Sequence, residues 1–247
     1  MDERFFRERK VIGKGRQATV YLWEGFAYKV YPESYPLQSI AFEMRIQRQI
    51  SQTALPVVKY YETDRPRIIR MDHIAGMTLS EKILSGRCAS GMEDLLCLQR
   101  QIHRIDDVDL PYIDKDLEKE ILGMDCAEKQ KAKAMESLSW LGQADSLCHL
   151  DFHPSNILWR KDGYTVIDWV NARRGRPVYD FARTYVILFE VSCELAKRYM
   201  RLLEESGEDR AALDKAIYVM ALWRSKEVSS HKALELLAQH EQVTRGI

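Results

Sequence analysis

Three side chains that carry oxygen stand close together in the sequence: Asp151, Asn156 and Asp168. The first two belong to the pattern H-x-D-x-x-x-x-N, which begins at His149, and the third ends a short apolar run. Moving a phosphoryl group from a nucleotide needs one carboxylate that orients the attacking hydroxyl, together with amide and carboxylate oxygens that bind a metal ion. These residue types at this spacing therefore indicate phosphoryl-transfer chemistry.

The residues around these groups predict a loop followed by a two-strand hairpin. Apolar residues occupy 157–159 and 166–167, and the second run leads directly into Asp168. Asp180 follows Pro177 and is expected in the first turn of a helix, where the helix dipole favours a carboxylate. The hairpin would thus deliver one carboxylate at its end, and a helix would carry the next one.

The N-terminal part of the chain predicts a strand, a glycine-containing turn and two further strands. Strand character extends over 10–31, and glycines interrupt it. Gly13, Gly15 and Val20 frame the turn, whose backbone amides are expected to approach phosphate oxygens. Taken alone, this segment fits an ordinary hairpin turn equally well.

Lys29 lies on the third predicted strand, and a predicted amphipathic helix follows it. The helix is defined by an apolar stripe at helical spacing, formed by Leu37, Ile40, Ala41 and Met44. Glu43 is the only acidic residue of this segment and is expected at the edge of the stripe. A carboxylate there needs a cation, because burying it alone is costly, so an ion pair between Glu43 and Lys29 is predicted. A solvated lysine and a surface glutamate remain the alternatives at this point.

The composition bears on partners and on the cellular compartment. Lys plus Arg number 37 and Asp plus Glu number 37, so the formal net charge of zero gives no indication of a nucleic-acid partner. Five widely spaced cysteines without a C-x-x-C pattern predict free thiols in a reducing compartment. Because no apolar run approaches transmembrane length and the N-terminus has no signal core, we expect a cytoplasmic protein without membrane contact. The oligomeric state is left open.

Together these motifs resemble the kinase superfamily, and most closely its aminoglycoside-phosphotransferase (APH)-like and choline-kinase-like branch of small-molecule kinases. That branch reads H-G-D-x-H-P-x-N followed by I-D-W, where this chain has H-L-D-F-H-P-S-N and I-D-W. The turn at Gly13 is similar to the kinase loop G-x-G-x-x-G-x-V, with Ala18 at the third glycine. Leu150 stands where the branch usually has glycine, which is expected to alter loop packing and to leave every reacting group in place.

The resemblance covers roughly residues 10–190 and implies an α+β, bilobal protein-kinase-like fold. Residues 1–75 would form the N-terminal nucleotide-binding lobe, a small antiparallel sheet with one helix. Residues 76–247 would form a larger, mainly helical lobe for catalysis and substrate binding. Beyond the resemblance, further helices are predicted at 190–204, 208–226 and about 230–242.

The same resemblance implies roles for the candidate residues. Asp151 would be the catalytic base that orients the acceptor hydroxyl, and Asn156 and Asp168 would bind Mg²⁺. Lys29, held by Glu43, would contact the α- and β-phosphates of ATP, with GTP as the alternative nucleotide. The remaining nucleotide-binding residues would lie in the glycine turn and in a hinge, namely Gly13, Gly15, Val20, Met71, Asp72 and Ile74.

Two features favour a small-molecule acceptor over a protein. Asp168 is followed by Trp169 and Val170 rather than by Phe and Gly, and only eleven residues separate it from Asp180. That leaves no room for a peptide-binding activation segment. We therefore expect a phosphotransferase that acts on a hydroxyl of an aminoglycoside-type antibiotic or of a metabolite alcohol. The alternatives are a nucleotide-binding pseudokinase or regulatory module, and an atypical protein kinase.

Overall fold

Five antiparallel strands form a sheet in the N-terminal part of the computed structural model, which describes residues 3–160, 163–227 and 231–243. The strands are β1 Lys10–Lys14, β2 Thr19–Trp23, β3 Phe26–Val30, β4 Tyr60–Tyr61 and β5 Ile68–Asp72. The accompanying helices are α1 Glu3–Glu8 and α2 Leu37–Ile50. The strand order across the sheet is β1-β2-β3-β5-β4. Glu24 and Gly25 both have positive φ and close the β2–β3 hairpin as a two-residue turn, whose twist matches that of the strands.

The side chains of β3 alternate between the two faces of the sheet. Tyr28 points to the face that α1 covers, where the fully buried Phe5 packs on it with ring centroids 5.0 Å apart. Ala27 belongs to the cluster on the other face, together with Tyr31. Lys29 stands between these two in the alternation and therefore shares their face, against which α2 packs. Helix α1 is not predicted from the sequence, and it adds a second helix to the sheet.

Helix α2 confirms the predicted helix, but its buried face differs from the predicted stripe. Ile40 is buried as expected, whereas Leu37 and Ala41 are exposed. The buried face is completed by Glu43, Ile46, Gln47 and Ile50. The predicted stripe is thus correct for Ile40 and Met44, which pack against the core of the sheet, and wrong for Leu37 and Ala41. Two polar side chains of the helix, Glu43 and Gln47, find hydrogen-bond partners and share the core face instead.

Helices dominate the remainder of the described chain. They are α3 Leu79–Leu84, α4 Gly91–His103, α5 Ile113–Leu122, α6 Glu128–Leu141, α7 Pro177–Val191, α8 Cys193–Glu205, α9 Arg210–Glu227 and α10 His231–Val243. The short strands are β6 Leu147–Cys148, β7 Ile157–Arg160, β8 Gly163–Val166 and β9 Arg173–Arg174. β6 pairs with β9, and β7 pairs with β8. α7 is buried along most of its length and packs against α8, α9 and α10, so it forms the centre of the helical part.

The helices agree with the predictions for the C-terminal part. α8 and α9 correspond to the helices predicted at 190–204 and 208–226, and α10 to the one at about 230–242. The predicted start of the last helix, Ser230, lies outside the described residues. The predicted α+β class, a small antiparallel sheet followed by a larger helical part, is confirmed. Among the described residues, no helix combines the length and the apolar character that crossing a bilayer requires.

The predicted two-strand hairpin is present as β7 and β8, and the two residues of its turn lie outside the described part of the chain. Val57 forms an isolated bridge to Val166 of this hairpin, and the Val166 N–H donates to the Pro56 carbonyl at 3.2 Å. The sequence also predicts a strand over 57–62, but only its β4 part joins the sheet. The reason is that its first residues pair with the hairpin instead.

The chain divides into two compact units. The first unit consists of Met1–Lys82 and Ser155–Val170, and the second of Ile83–Pro154 and Asn171–Ile247. The β7–β8 hairpin therefore belongs to the same unit as the sheet, although it follows in the sequence after much of the helical part. The predicted functional lobes, 1–75 and 76–247, stay a prediction, because compactness alone does not define a lobe by its function.

Gly76 provides a test of how the sheet unit holds its hairpin. A Cβ at Gly76 would lie 2.4 Å from the backbone oxygen of Trp159, while the Trp159 N–H donates to the Met77 carbonyl at 2.9 Å. We expect Gly76→Ala to destabilise the protein by about 1–3 kcal/mol, because the backbone must move to relieve the clash. The control is Gly123→Ala, whose Cβ would meet its nearest atom at an ordinary 3.5 Å. Equal denaturation midpoints for the two variants would contradict this account.

Candidate active site

Lys29 is the centre of a buried charge network in the first unit. Its Nζ lies 2.8 Å from Glu43 Oε1 and 3.1 Å from Asp168 Oδ1. The Lys29 side chain is 12% exposed and that of Glu43 is 2% exposed, whereas the Asp168 side chain is 38% exposed. The predicted pair of Lys29 and Glu43 is therefore present. Asp168 adds a second carboxylate from 139 residues further along the chain.

Two tyrosines complete the surroundings of Glu43. The Tyr31 hydroxyl donates to Glu43 Oε2 at 2.5 Å, and the Tyr60 hydroxyl lies 3.4 Å from Oε1. Both oxygens of the carboxylate thus accept from buried donors, which a buried carboxylate requires. Neither tyrosine is identified as part of the site from the sequence. For Tyr31 a signal exists, since it stands two residues after Lys29 and so projects from the same side of the strand.

Lys29 is held in its charged form. Burial by itself lowers the pKa of Lys29, but the neighbouring carboxylates, Asp168 first and then Glu43, outweigh burial and hold the pKa well above its ordinary value. Burial raises the pKa of both Tyr31 and Tyr60 far above the usual range, so both hydroxyls keep their protons at neutral pH. The network therefore presents a permanent cation beside a partly exposed carboxylate.

The β7–β8 hairpin brings the two predicted metal ligands to neighbouring backbone positions. Asn156 directly precedes β7, and its carbonyl accepts from the N–H of Ile167, the residue before Asp168, at 3.0 Å. Asp168 has a φ of +65°, a left-handed conformation that residues other than glycine rarely adopt. Trp169 follows it, is almost fully buried, and donates its indole N–H to the Val166 carbonyl at 3.1 Å. This anchored ring fixes the turn that presents Asp168.

The donor set at Asn156 and Asp168 fits magnesium. Mg²⁺ prefers oxygen ligands and is usually held by one or two carboxylates together with phosphate oxygens and water. The Asp168 side chain is partly exposed, so its carboxylate is accessible to such an ion. In the described part of the chain, no group of three or more His, Cys, Asp or Glu side chains forms a metal site by itself. A metal ion at these two residues would take its further ligands from water and nucleotide phosphates.

The glycine turn between β1 and β2 is tight. The Gly15 N–H donates to the Ala18 carbonyl at 2.9 Å, and Gly13 pairs with Val20 in the register of the two strands. A Cβ at Gly15 would lie 3.4 Å from the Ala18 oxygen, which is closer than most real Cβ contacts. The structure thus places Gly13, Gly15 and Val20 in one turn of the sheet unit. Their contact with phosphate stays a prediction.

The predicted hinge begins at the end of β5. Met71 is buried in the cluster on the α2 face of the sheet, and Ile74 is half-buried. The Asp72 carboxylate accepts from the Lys59 N–H at 3.1 Å and from the Tyr61 hydroxyl at 3.0 Å. Because these partners occupy the Asp72 side chain, contacts to a nucleotide would fall to the hinge backbone, as the resemblance implies.

Asp151 lies in the second unit, in the loop that follows β6. Its side chain is 23% exposed, and its backbone N–H donates to Nδ1 of His149 at 3.2 Å. The ring of His149 is fully buried and packs edge-on against Phe152 at 5.6 Å. His153 Nε2 is 3.8 Å from the Asp151 carboxylate. The loop is therefore anchored from inside, while the carboxylate that it carries is accessible.

Asp180 on α7 is the buried anchor of this loop. Its Oδ1 accepts from the Leu150 N–H at 2.6 Å, and its Oδ2 lies 2.9 Å from His103 Nε2. Burial raises the pKa of Asp180, but the hydrogen bond and charge of His103 outweigh burial, so the pKa lies below its ordinary value. Asp180 is therefore a buried anion with hydrogen-bond partners on both oxygens, and it lies in the first turn of α7 as predicted.

Leu150 explains how the loop tolerates a residue other than glycine. Its φ is +61°, a left-handed conformation that costs such residues about 1–2 kcal/mol. The Leu150 side chain is fully buried, which contributes about 2 kcal/mol and offsets that strain. The leucine at this position therefore packs into the core directly before Asp151; its effect on the loop relative to glycine stays a prediction.

Removing the buried carboxylate tests the charge network. We expect Glu43→Ala to destabilise the protein by about 3 kcal/mol, because it strips a buried cation and two buried hydroxyls of a shared partner. The control is Glu62→Ala, since the Glu62 pair with Arg48 is 3.5 Å long and largely exposed, and its loss should have no resolvable effect. Urea denaturation of both variants gives the comparison. Similar midpoints for the two would mean that Glu43 is not a structural partner of Lys29.

Known structures share this fold. Aminoglycoside phosphotransferase APH(4)-Ia, as an apo thermostable mutant, aligns with a TM-score of 0.66 at 14% identity over 97% of this chain and 94% of its own; another mutant was solved with ADP and hygromycin B. APH(2″)-IIa, in a ternary complex with streptomycin and ATP, aligns with a TM-score of 0.63 at 15% identity over 100% and 97%. Choline kinase LicA from Streptococcus pneumoniae aligns with a TM-score of 0.64 at 13% identity, over 99% of this chain and 96% of its own.

At these identities the solved structures establish the fold, and the family follows from the sequence. No curated protein matches the sequence at a significant level. The family model described as the phosphotransferase enzyme family (APH) matches residues 8–214, which is most of the chain. The predicted kinase-like fold is confirmed, as is the prediction of a phosphotransferase. The chain therefore belongs to the phosphotransferase enzyme family.

Proposed function

We propose that this phosphotransferase moves the γ-phosphate of ATP to a hydroxyl of a small molecule. The contact of Lys29 with both Glu43 and Asp168 supports this most directly, because it joins the predicted phosphate-binding cation to a predicted metal ligand. A lysine held in one position by a buried carboxylate is suited to oppose the α- and β-phosphates. GTP is the alternative nucleotide, since a hinge that binds through its backbone does not by itself select the base.

In this proposal, the residues of the first unit bind and orient the nucleotide. The backbone of the glycine turn approaches the phosphates, Lys29 contacts the α- and β-phosphates, and Asn156 and Asp168 hold magnesium. A bound Mg²⁺ supplies neutralisation of the negative charge that develops on the phosphate oxygens. The structures of related enzymes with ADP or ATP support nucleotide binding of this kind.

Asp151 acts on the acceptor. It orients the hydroxyl and takes its proton while the hydroxyl oxygen bonds to the γ-phosphorus and the bond from phosphorus to the β-phosphate oxygen breaks. General-base assistance of this type contributes about 10²–10⁴-fold to a rate. The partial exposure of the Asp151 side chain supports the role, because an incoming alcohol must reach the carboxylate.

The acceptor class that we propose is an aminoglycoside-type antibiotic or a metabolite alcohol. Two solved neighbours were crystallised with hygromycin B or streptomycin, and another is a choline kinase. A pseudokinase is less well supported, because Lys29, Asp151, Asn156 and Asp168 are all present and the lysine is paired as a working site requires.

A screen for ADP release across hydroxylated antibiotics and metabolites, with mass spectrometry of the product, identifies the acceptor. For the alcohol so found, we expect Asp151→Asn to slow ADP release by about 10²-fold or more while ATP binding persists. The control, Asp214→Asn, changes a partly exposed aspartate of the same unit and should turn over normally. Phosphate found only on protein would overturn the small-molecule proposal. Normal turnover of Asp151→Asn would remove that residue from the mechanism.

Asp168→Ala tests the metal site separately from the acceptor. We expect magnesium to enhance ATP affinity in the native protein, and this enhancement to fall by at least about 10-fold in the variant. Affinity without metal should change little, because Lys29 keeps its partner Glu43. Titrations of ATP binding by calorimetry, with and without Mg²⁺, make the comparison. An unchanged metal dependence would contradict the role of Asp168.

A further inference from the structure

One face of α7 carries three polar side chains that all reach the backbone of the loop around Asp151. Asp180 accepts from the Leu150 N–H at 2.6 Å, and Arg183 Nε donates to the Leu150 carbonyl at 3.2 Å. Thr184 Oγ1 donates to the Phe152 carbonyl at 2.8 Å. Their spacing of i, i+3 and i+4 places them on one side of the helix. The helix therefore grips the loop at several backbone atoms.

These contacts hold backbone groups both before and after Asp151 in the sequence. The Leu150 carbonyl belongs to the peptide bond that precedes Asp151, and Arg183 fixes the orientation of that peptide. The Phe152 carbonyl belongs to the second peptide bond after Asp151, and Thr184 fixes it. Because Leu150 is in the left-handed conformation, its peptide needs such support to keep one orientation.

Arg183 reaches the loop from a buried position that needs charge compensation. Its side chain is 2% exposed, and its guanidinium stacks over the Trp223 ring at 4.6 Å. Its Nη2 pairs with the carboxylate of Glu227, the last residue of α9. A buried guanidinium is stable only beside such a carboxylate. α9 thereby determines where the Nε–H of Arg183 points.

Thr184 receives its orientation from a second chain of hydrogen bonds. The Tyr199 hydroxyl donates to Gln99 Oε1, and Gln99 Nε2 donates to Thr184 Oγ1 at 3.0 Å. Since the threonine oxygen accepts from Gln99, its single proton is directed to the Phe152 carbonyl. All members of this chain are buried. Each residue of this chain thus donates to the next, and the last hydrogen bond is to the loop backbone.

We propose that Arg183 and Thr184 are positioning residues for Asp151, and that Glu227 acts through Arg183. This inference rests on the proposed function of Asp151, and it gives the C-terminal helix α9 a part in catalysis. None of these three residues touches a substrate. They limit the movement of the loop backbone, and misplacement of a reacting group by about 1 Å costs on the order of 10²-fold in rate.

The test uses Glu227→Gln and Thr184→Val in the full chain. We expect hydrogen exchange of the loop peptide over 148–153 to become several-fold faster in both variants, measured by mass spectrometry with ATP and Mg²⁺ absent. We expect turnover of ATP, followed as ADP release with the alcohol that the native enzyme accepts, to fall by about 10-fold or more at saturating nucleotide. The affinity for Mg²⁺ and ATP should stay unchanged.

Two further variants separate positioning from a general loss of stability. Thr184→Ser keeps the hydroxyl and should restore native exchange and turnover. Glu208→Gln is the matched control, because Glu208 also pairs with an arginine, Arg100, and its side chain has the same 28% exposure as that of Glu227. It should leave the loop unchanged, even if it lowers the unfolding midpoint.

The outcomes are distinct. If the hydrogen-exchange rate of the loop in Glu227→Gln and Thr184→Val equals that in Glu208→Gln, the inference is overturned, whatever the rate of turnover. Failure of the native enzyme to phosphorylate any alcohol would count against the proposed function, while the exchange measurement would still decide whether these residues hold the loop. Faster hydrogen exchange of the loop with normal turnover would overturn the positioning role, because catalysis would then not depend on how firmly the loop is held.

Discussion

A buried lysine requires carboxylates beside it, and Lys29 shows how much of the first unit follows from that requirement. Strand β3 must direct Lys29 to the face that α2 covers, and α2 must turn Glu43 into the core rather than toward solvent. The β7–β8 hairpin must then return the chain so that Asp168 meets the same ammonium group. Sheet, helix and hairpin are thus held in register by one charge network, in addition to their apolar packing.

In the second unit, the buried polar groups of α7 hold the backbone of the loop that carries Asp151. Leu150 adopts a left-handed conformation beside Asp151, and its N–H and carbonyl both need buried partners. α7 provides them through charged side chains, Asp180 and Arg183, each of which has its own counter-group in the helical part. Burying such groups is favourable only when every one is paired. The loop backbone next to Asp151 therefore has buried hydrogen-bond partners on α7.

Much of the fold and of the candidate site is predictable from the sequence, and the errors have physical reasons. The strand character of 10–31, the helical period of α2 and the apolar runs of the hairpin identify these elements because their signals are local. The buried face of α2 is predicted only in part, since Glu43 counts as an edge residue until Tyr31 and Tyr60 are known to surround it. The strand expected from Val57 is shortened by a bridge to Val166, which lies more than a hundred residues away.

The sequence alone determined which residues are candidates for catalysis and metal binding, because residue types and spacings such as H-x-D-x-x-x-x-N are local properties of the chain. It also determined the class of fold, through periodicity and through resemblance. Only the tertiary structure decided which partners each charged group has: Asp168 for Lys29, His103 for Asp180 and Glu227 for Arg183. The physical reason is that burial and pairing depend on contacts between distant segments, and no local pattern records which segments will meet.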